Sequence, residues 1–189
     1  MPPFYFPFSH IVNNSILLMG EYMKFKSVKP FLSDEGLFGV KPYNIDWAIT
    51  DNWKKAKNKV LVVVEFVPSV DLKEKSLMGH TLSQQTYSNL FDYTFSEVKK
   101  LNSKVKQKDW GFMFVNFNFF KWFDLSAQQK DVCIGAATKR MRKIIKKIPH
   151  THLLLMGDTV AAKILDDPDA NTKRLWVHDL KGTPTVNTI

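Results

Sequence analysis

Lys59–Ser69 reads KVLVVVEFVPS, and within it five consecutive residues, Val60 to Val64, are Val or Leu. No polar residue alternates with them, so both faces of this segment are expected to be buried. A continuous β-branched run of this length fits a central strand of a parallel sheet covered on both sides. Pro68 cannot donate to a strand ladder and is expected to mark the strand's carboxyl end. In open parallel sheets, ligands bind outside the carboxyl ends of the strands. Glu65–Asp71 is therefore the first place to look for chemistry.

Further segments repeat the theme. Gly111–Phe120 (GFMFVNFNFF) is apolar on both parities except for Asn116 and Asn118, and is expected to be a second buried strand. Thr151–Met156 (THLLLM) is a third, and Leu175–Leu180 a shorter fourth. Thr185–Ile189 is able to extend or pair. Between the strands, Leu90, Phe91, Phe95, Val98 and Leu101 recur at three- and four-residue spacings, which predicts a helix from about Ser83 to Leu101. Ser126 is a natural cap for a long helix reaching about Ile148, ahead of Pro149. Asp158 is expected to cap a third helix, Thr159–Leu165. Ser69–His80 reads as a polar loop and Lys121–Leu125 as a turn. Strand, helix, strand, helix, strand, helix, strand implies a three-layer α/β/α sandwich around a mostly parallel four-stranded sheet. Residues 59–189 are expected to form that single compact unit, with 1–58 packed on it as an arm and lead-in. Within the lead-in, Ile11–Phe25 suits a short helix or strand. Pro30–Trp53 reads as irregular, its aromatics Phe31, Phe38, Tyr43, Trp47 and Trp53 capping the core.

The chain carries 27 Lys and Arg against 18 Asp and Glu, a net charge of +9. Such an excess favours a polyanionic partner, nucleic acid first and an anionic membrane surface second. Lys139, Arg140, Arg142, Lys143, Lys146 and Lys147 fall together in TKRMRKIIKKI and suggest a phosphate-contacting helix face, with Ile144, Ile145, Ile148 and Met141 turned inward. The alternative is a merely solvated face. Lys104, Lys106 and Lys108 add a second cluster. The single Cys133 excludes an internal disulfide framework and cysteine-based metal sites, and suits a reducing, cytoplasmic setting. Five scattered histidines show no metal-ligand spacing, and neither GxGxxG nor GxxxxGK[ST] occurs, so no cofactor or metal is expected. No apolar run approaches bilayer length, and the opening MPPFYFPF lacks the basic-then-apolar order of a signal peptide. That Pro- and Phe-rich arm, Met1–Phe8, either packs on the body or docks on a partner.

The order of these pieces resembles the uracil-DNA glycosylase superfamily, especially its thermostable and phage-polymerase-associated branch. The match spans Val60–Leu165. EFVPS stands where members carry GEAPG or GQDPY. SLMG at Ser76–Gly79 stands at a PFVG-like segment that holds an apolar residue against the base. VNFNFFKW resembles the strand whose Asn reads the uracil edge, with Asn116 on it. LLLMGDTVAAKIL resembles the family's strand–Gly–helix. The resemblance implies a base pocket at Phe66, Pro68, Ser69, Leu77 and Asn116, with DNA as partner and a DNA polymerase or other replication protein nearby.

Aligned on Pro68, however, the family's catalytic carboxylate falls at Phe66 or Val67, both apolar. Neither can stabilise the sugar cation of N-glycoside hydrolysis. The remaining catalytic candidates are Glu65, one position early and on the opposite face of a regular strand, and Asp71, beyond the turn. The family's HPS loop is not recognisable, and the chain reads as one domain of something longer or as a protein without that catalytic end. The expectation is a glycosylase-like fold that binds DNA and is catalytically weak or silent. The rivals are an active glycosylase that flips a base into the pocket and a protein-docking module.

Overall fold

The computed structural model describes residues 23–31, 42, 45–120, 125–173, 177–180 and 182–188. The arm Met1–Phe8 lies outside them, as do most of Ile11–Phe25 and the aromatics Phe38 and Tyr43. The strands are β1 (Phe25–Val28), β2 (Trp47–Thr50), β3 (Asn58–Val64), β4 (Trp110–Asn116), β5 (His152–Met156), β6 (Val177–Leu180) and β7 (Thr183–Thr188). The helices are α1 (Ser69–Glu74), α2 (Thr81–Leu101), α3 (Ala127–Lys147) and α4 (Asp158–Leu165).

All seven strands join one mixed sheet in the order β1-β2-β4-β3-β5-β7-β6. Its four central strands, β4-β3-β5-β7, are parallel. β3 lies between β4 and β5, and Val60 to Val64 are all buried, as a strand with two covered faces requires. The expected four-stranded sheet is therefore extended by antiparallel strands at both edges. β2 comes from the lead-in expected to be irregular. WAIT is too short to show a period, yet Trp47 and Ala48 are fully buried and Ala48 is in register with Phe114. β1 is an edge strand whose middle residues Lys26 and Ser27 are exposed, so its pattern carries little hydrophobic signal.

The fourth parallel strand is also displaced. Val177–Leu180 is present but antiparallel, at the sheet's far edge. The tail Thr183–Thr188 pairs with β5 in its place. The reversal is local: the Gly182 N–H donates to Asp179 Oδ1 (2.6 Å), and Gly182 takes φ +82°, a region open to glycine.

α2 lays aromatic rings on β4. Phe91 stacks on Phe112 with centroids 4.2 Å apart, and Tyr87 meets Phe114 edge-on at 5.2 Å. α3 opens with the expected Ser126 cap, completed into a capping box. Ser126 Oγ accepts from the Gln129 N–H, and Gln129 Oε1 accepts from the Ser126 N–H. Cys133, Ala137, Met141 and Ile144 form its buried stripe, with Ile145 half-buried beside it. Ser69–His80 is not simply a loop, because α1 occupies its first half.

Candidate functional site

Val64, Asn116 and Met156 are in register across β4, β3 and β5. Glu65, Phe117 and Gly157 therefore leave the sheet side by side at its carboxyl edge. Backbone hydrogen bonds tie them together. The Glu65 N–H donates to Met156 O (2.9 Å), the Phe117 N–H to Val64 O (2.8 Å) and the Asn118 N–H to Glu65 O (3.2 Å). In chain order these parallel strands run second, first, third, fourth, so the chain changes direction across the sheet between β3 and β5. Such a switch point opens a crevice at the strand ends.

The crevice is lined by Glu65, Phe66, Phe117, Asn118, Cys133, Ile134, Ala137 and Thr159. Among the two candidate acids, Glu65 is the one that reaches it. β3 ends at Val64, so the alternation that would turn Glu65 away no longer applies. Its Oε2 accepts from the Thr159 N–H at the start of α4 (3.2 Å). Gly157 makes this approach possible. A Cβ there would stand 2.5 Å from Glu65 Cβ and run into the carboxylate, and Gly157 has φ +121°. Asp158 is thus not the cap expected of it; it is the first residue of α4, and the carboxylate comes from Glu65. The space open to water centres is about 10 Å³, room for a single water and far less than a nucleobase needs. Burial pushes the Cys133 thiol up, which keeps it protonated and a poor nucleophile.

Asp71 is not in the crevice. It is fully buried, and its carboxylate accepts from the Met78 N–H and the His80 N–H, both at 3.1 Å. It pins the chain between α1 and α2, and it adds to the burial that raises the Tyr87 phenol above its ordinary value. Phe66 is exposed and lines the crevice, but the other expected pocket residues do not. Pro68 and Ser69 are exposed at the start of α1. Leu77 is core, its N–H donating to Asp46 O (2.9 Å). Asn116 is buried and engaged internally. Its Oδ1 accepts from Trp47 Nε1 (3.2 Å), and its Nδ2 donates to Asn118 O (3.2 Å). The crevice asparagine is Asn118, two residues on in the same VNFN run. Only the end of β4 at Asn116 distinguishes the two.

The basic face of α3 also needs one correction. Arg140 is buried. It donates to Asn116 O (3.0 Å) and lies 4.7 Å over the Phe119 ring. It is a core cation that braces the end of β4. Lys139, Arg142, Lys143, Lys146 and Lys147 are exposed, as are Lys104, Lys106 and Lys108. Arg142 donates to Lys163 O (2.9 Å), and Lys147 Nζ sits 5.4 Å from the Phe31 ring.

Among the described residues, no three His, Cys, Asp or Glu side chains converge as a metal site would require. No helix among them is long and apolar enough to cross a membrane. No protein-family model matches the sequence, and no curated protein matches it.

Proposed function

We propose that this chain is a DNA-binding domain of uracil-DNA glycosylase-like, three-layer α/β/α type that is catalytically weak or silent. It acts inside a cell, beside a DNA polymerase in replication or repair. The observation that carries the reading is the crevice at the carboxyl ends of β3, β4 and β5. Phe66 and Val67, where the family's carboxylate would stand, offer no acid. The acid that does enter, Glu65, is held by the amide of Thr159, and the space beside it admits one water. N-glycoside hydrolysis needs both a flipped base in a pocket and a carboxylate aimed at the sugar or at an attacking water. The exposed cations of α3 supply a sequence-neutral attraction for phosphates. Right-handed crossovers running in opposite directions from β3 and from β4 would lay helices on both faces, which supports the three-layer reading. The polymerase setting rests on the family resemblance alone.

Glu65 favours a second reading, an active glycosylase in which Glu65 and Asn118 serve a base admitted by opening of the crevice. A uracil-release assay on single- and double-stranded DNA separates the two. The silent reading expects no release above buffer. Release that Glu65→Gln abolishes establishes the second reading instead.

A further inference from the structure

Parallel strands send all their amino ends to one edge of a sheet. In this chain, that edge gathers lysine. The loop before β3 carries Lys54, Lys55 and Lys57, and the loop before β4 carries Lys104, Lys106 and Lys108. All six are exposed. Over 51–57 and 103–109 together, six lysines stand against two acids, Asp51 and Asp109. Asp51 is paired elsewhere, with Lys26 at 3.0 Å, while Asp109 reaches Lys57 only at 4.0 Å.

The two loops form one surface. Asn58 and Trp110 are in register at the first rung of β3 and β4. Asn52 Nδ2 donates to Lys108 O (3.2 Å) and Trp110 O (2.7 Å), clamping one loop to the other. A Cβ on Gly111 would stand 2.9 Å from both Trp53 Cα and Ala56 Cβ, so the loops are pressed together. On the other side of β3, Lys59 O accepts from the Thr151 N–H (2.8 Å), which holds the start of β5 in the same rim. A clamped backbone with exposed lysine side chains suits a regular array of charges. Such an array meets phosphates without ordering the backbone further.

We propose that this rim, at the amino ends of β3 and β4, is the chain's main contact for the phosphate backbone of DNA. The inference rests on the DNA-binding reading and adds where the DNA lies. The seven residues of β3 separate the rim from the crevice by about 20 Å at ~3.3 Å per residue. DNA held on the rim does not present its bases to Glu65. A membrane surface is the lesser match, because the two loops carry little to anchor in it. Trp53 is buried and Trp110 half-buried, and the exposed Leu101 beside them, at the end of α2, is one aliphatic side chain.

The test measures binding of a fluorescent DNA duplex to the full chain across a salt series. It compares wild type with K54E/K55E/K57E, K104E/K106E/K108E and, on α3, K139E/R142E/K143E. Thermal unfolding verifies that each is folded, and the two rim variants change separate loops, so misfolding of one leaves the other decisive. The expected result is a loss of about fivefold or more in affinity for a folded rim variant. Its slope of log affinity against log salt should be shallower by roughly 2 to 3, as expected when about three phosphate contacts are lost. A smaller loss in the folded rim variants, with wild type still binding, overturns the rim and leaves the DNA-binding reading standing. Wild type that fails to bind DNA overturns both. Retention on phosphatidylserine vesicles without DNA binding makes the surface a membrane contact and likewise overturns the proposal.

Discussion

Asp71→Asn is the sharpest test of the crevice's boundaries, because it asks whether Asp71 serves chemistry or structure. Both carboxylate oxygens are occupied by backbone amides, Oδ2 by Met78 and Oδ1 by His80, in a fully buried site. Hydrogen bonds to a charged group contribute about 1.5–3 kcal/mol each. An asparagine keeps one acceptor and turns an NH₂ group on the other amide. The variant therefore loses one charged bond, weakens the second and leaves a buried donor unmet. The expected cost is about 2–4 kcal/mol, a large share of the ~5–15 kcal/mol that holds an ordinary domain together. Urea unfolding followed by circular dichroism reads it directly. The Tyr87 phenol supplies an independent readout. Burial and then the Asp71 charge raise it, so removing that charge lowers its titration in the absorbance difference between Asp71→Asn and Asp71→Asn/Tyr87→Phe. A stability change within about 0.5 kcal/mol refutes the structural role of Asp71, and a Tyr87 titration that does not move refutes its charge coupling to Tyr87.

Arg140→Met removes the guanidinium that donates to Asn116 O and lies against Phe119. Losing a buried cation–π contact and stranding a buried carbonyl should cost at least about 2 kcal/mol in thermal unfolding, and an unchanged midpoint counts against the brace. Gly157→Ala combines a positive φ with a collision against Glu65, so it should cost about 1–3 kcal/mol for the backbone alone. Adding Glu65→Ala should recover only the part of the collision made by the carboxylate, because alanine keeps the Cβ that stands 2.5 Å away; simple additivity of the two changes in a double-mutant cycle contradicts the carboxylate contact. His152 is held below its ordinary 6.5 by burial and by His150, so the unfolded chain binds its proton more readily. Its contribution to stability is present above pH 6.5 and lost as pH falls below it; His152→Gln should flatten that slope in urea titrations at successive pH values. Tyr87 acts in the opposite sense. Raised above 10.0, it contributes below that pH and loses its contribution as pH climbs past it, a decline that Tyr87→Phe should abolish.

The parts legible in sequence were those whose signal repeats. The unbroken Val60–Val64 run marked the central strand, and the three- and four-residue spacing on α2 and the Ser126 cap of α3 marked the helices between parallel strands. What sequence hid was decided by partners far along the chain. β2 is four residues whose burial depends on Phe114, 66 positions after Ala48. The fourth parallel strand went to the β-branched tail rather than to Val177–Leu180, because the turn at Gly182 folds one back on the other. Arg140 reads as one more cation in a basic run, and only the location of the β4 carbonyl ends explains why it turns inward. Glu65 enters the crevice because β3 stops at Val64, where the apolar run stops, and not at Pro68, the strand end expected from sequence.

The central claim is that this chain holds DNA without cutting a base from it. The direct measurement incubates saturating protein with a uracil-containing duplex and scores, in the same sample, the fraction of DNA retained and the number of abasic sites formed. The account expects retention that falls steeply with salt and glycosidic bonds that stay intact. Abasic sites that accumulate with wild type and vanish with Glu65→Gln contradict it, as does DNA that is never retained.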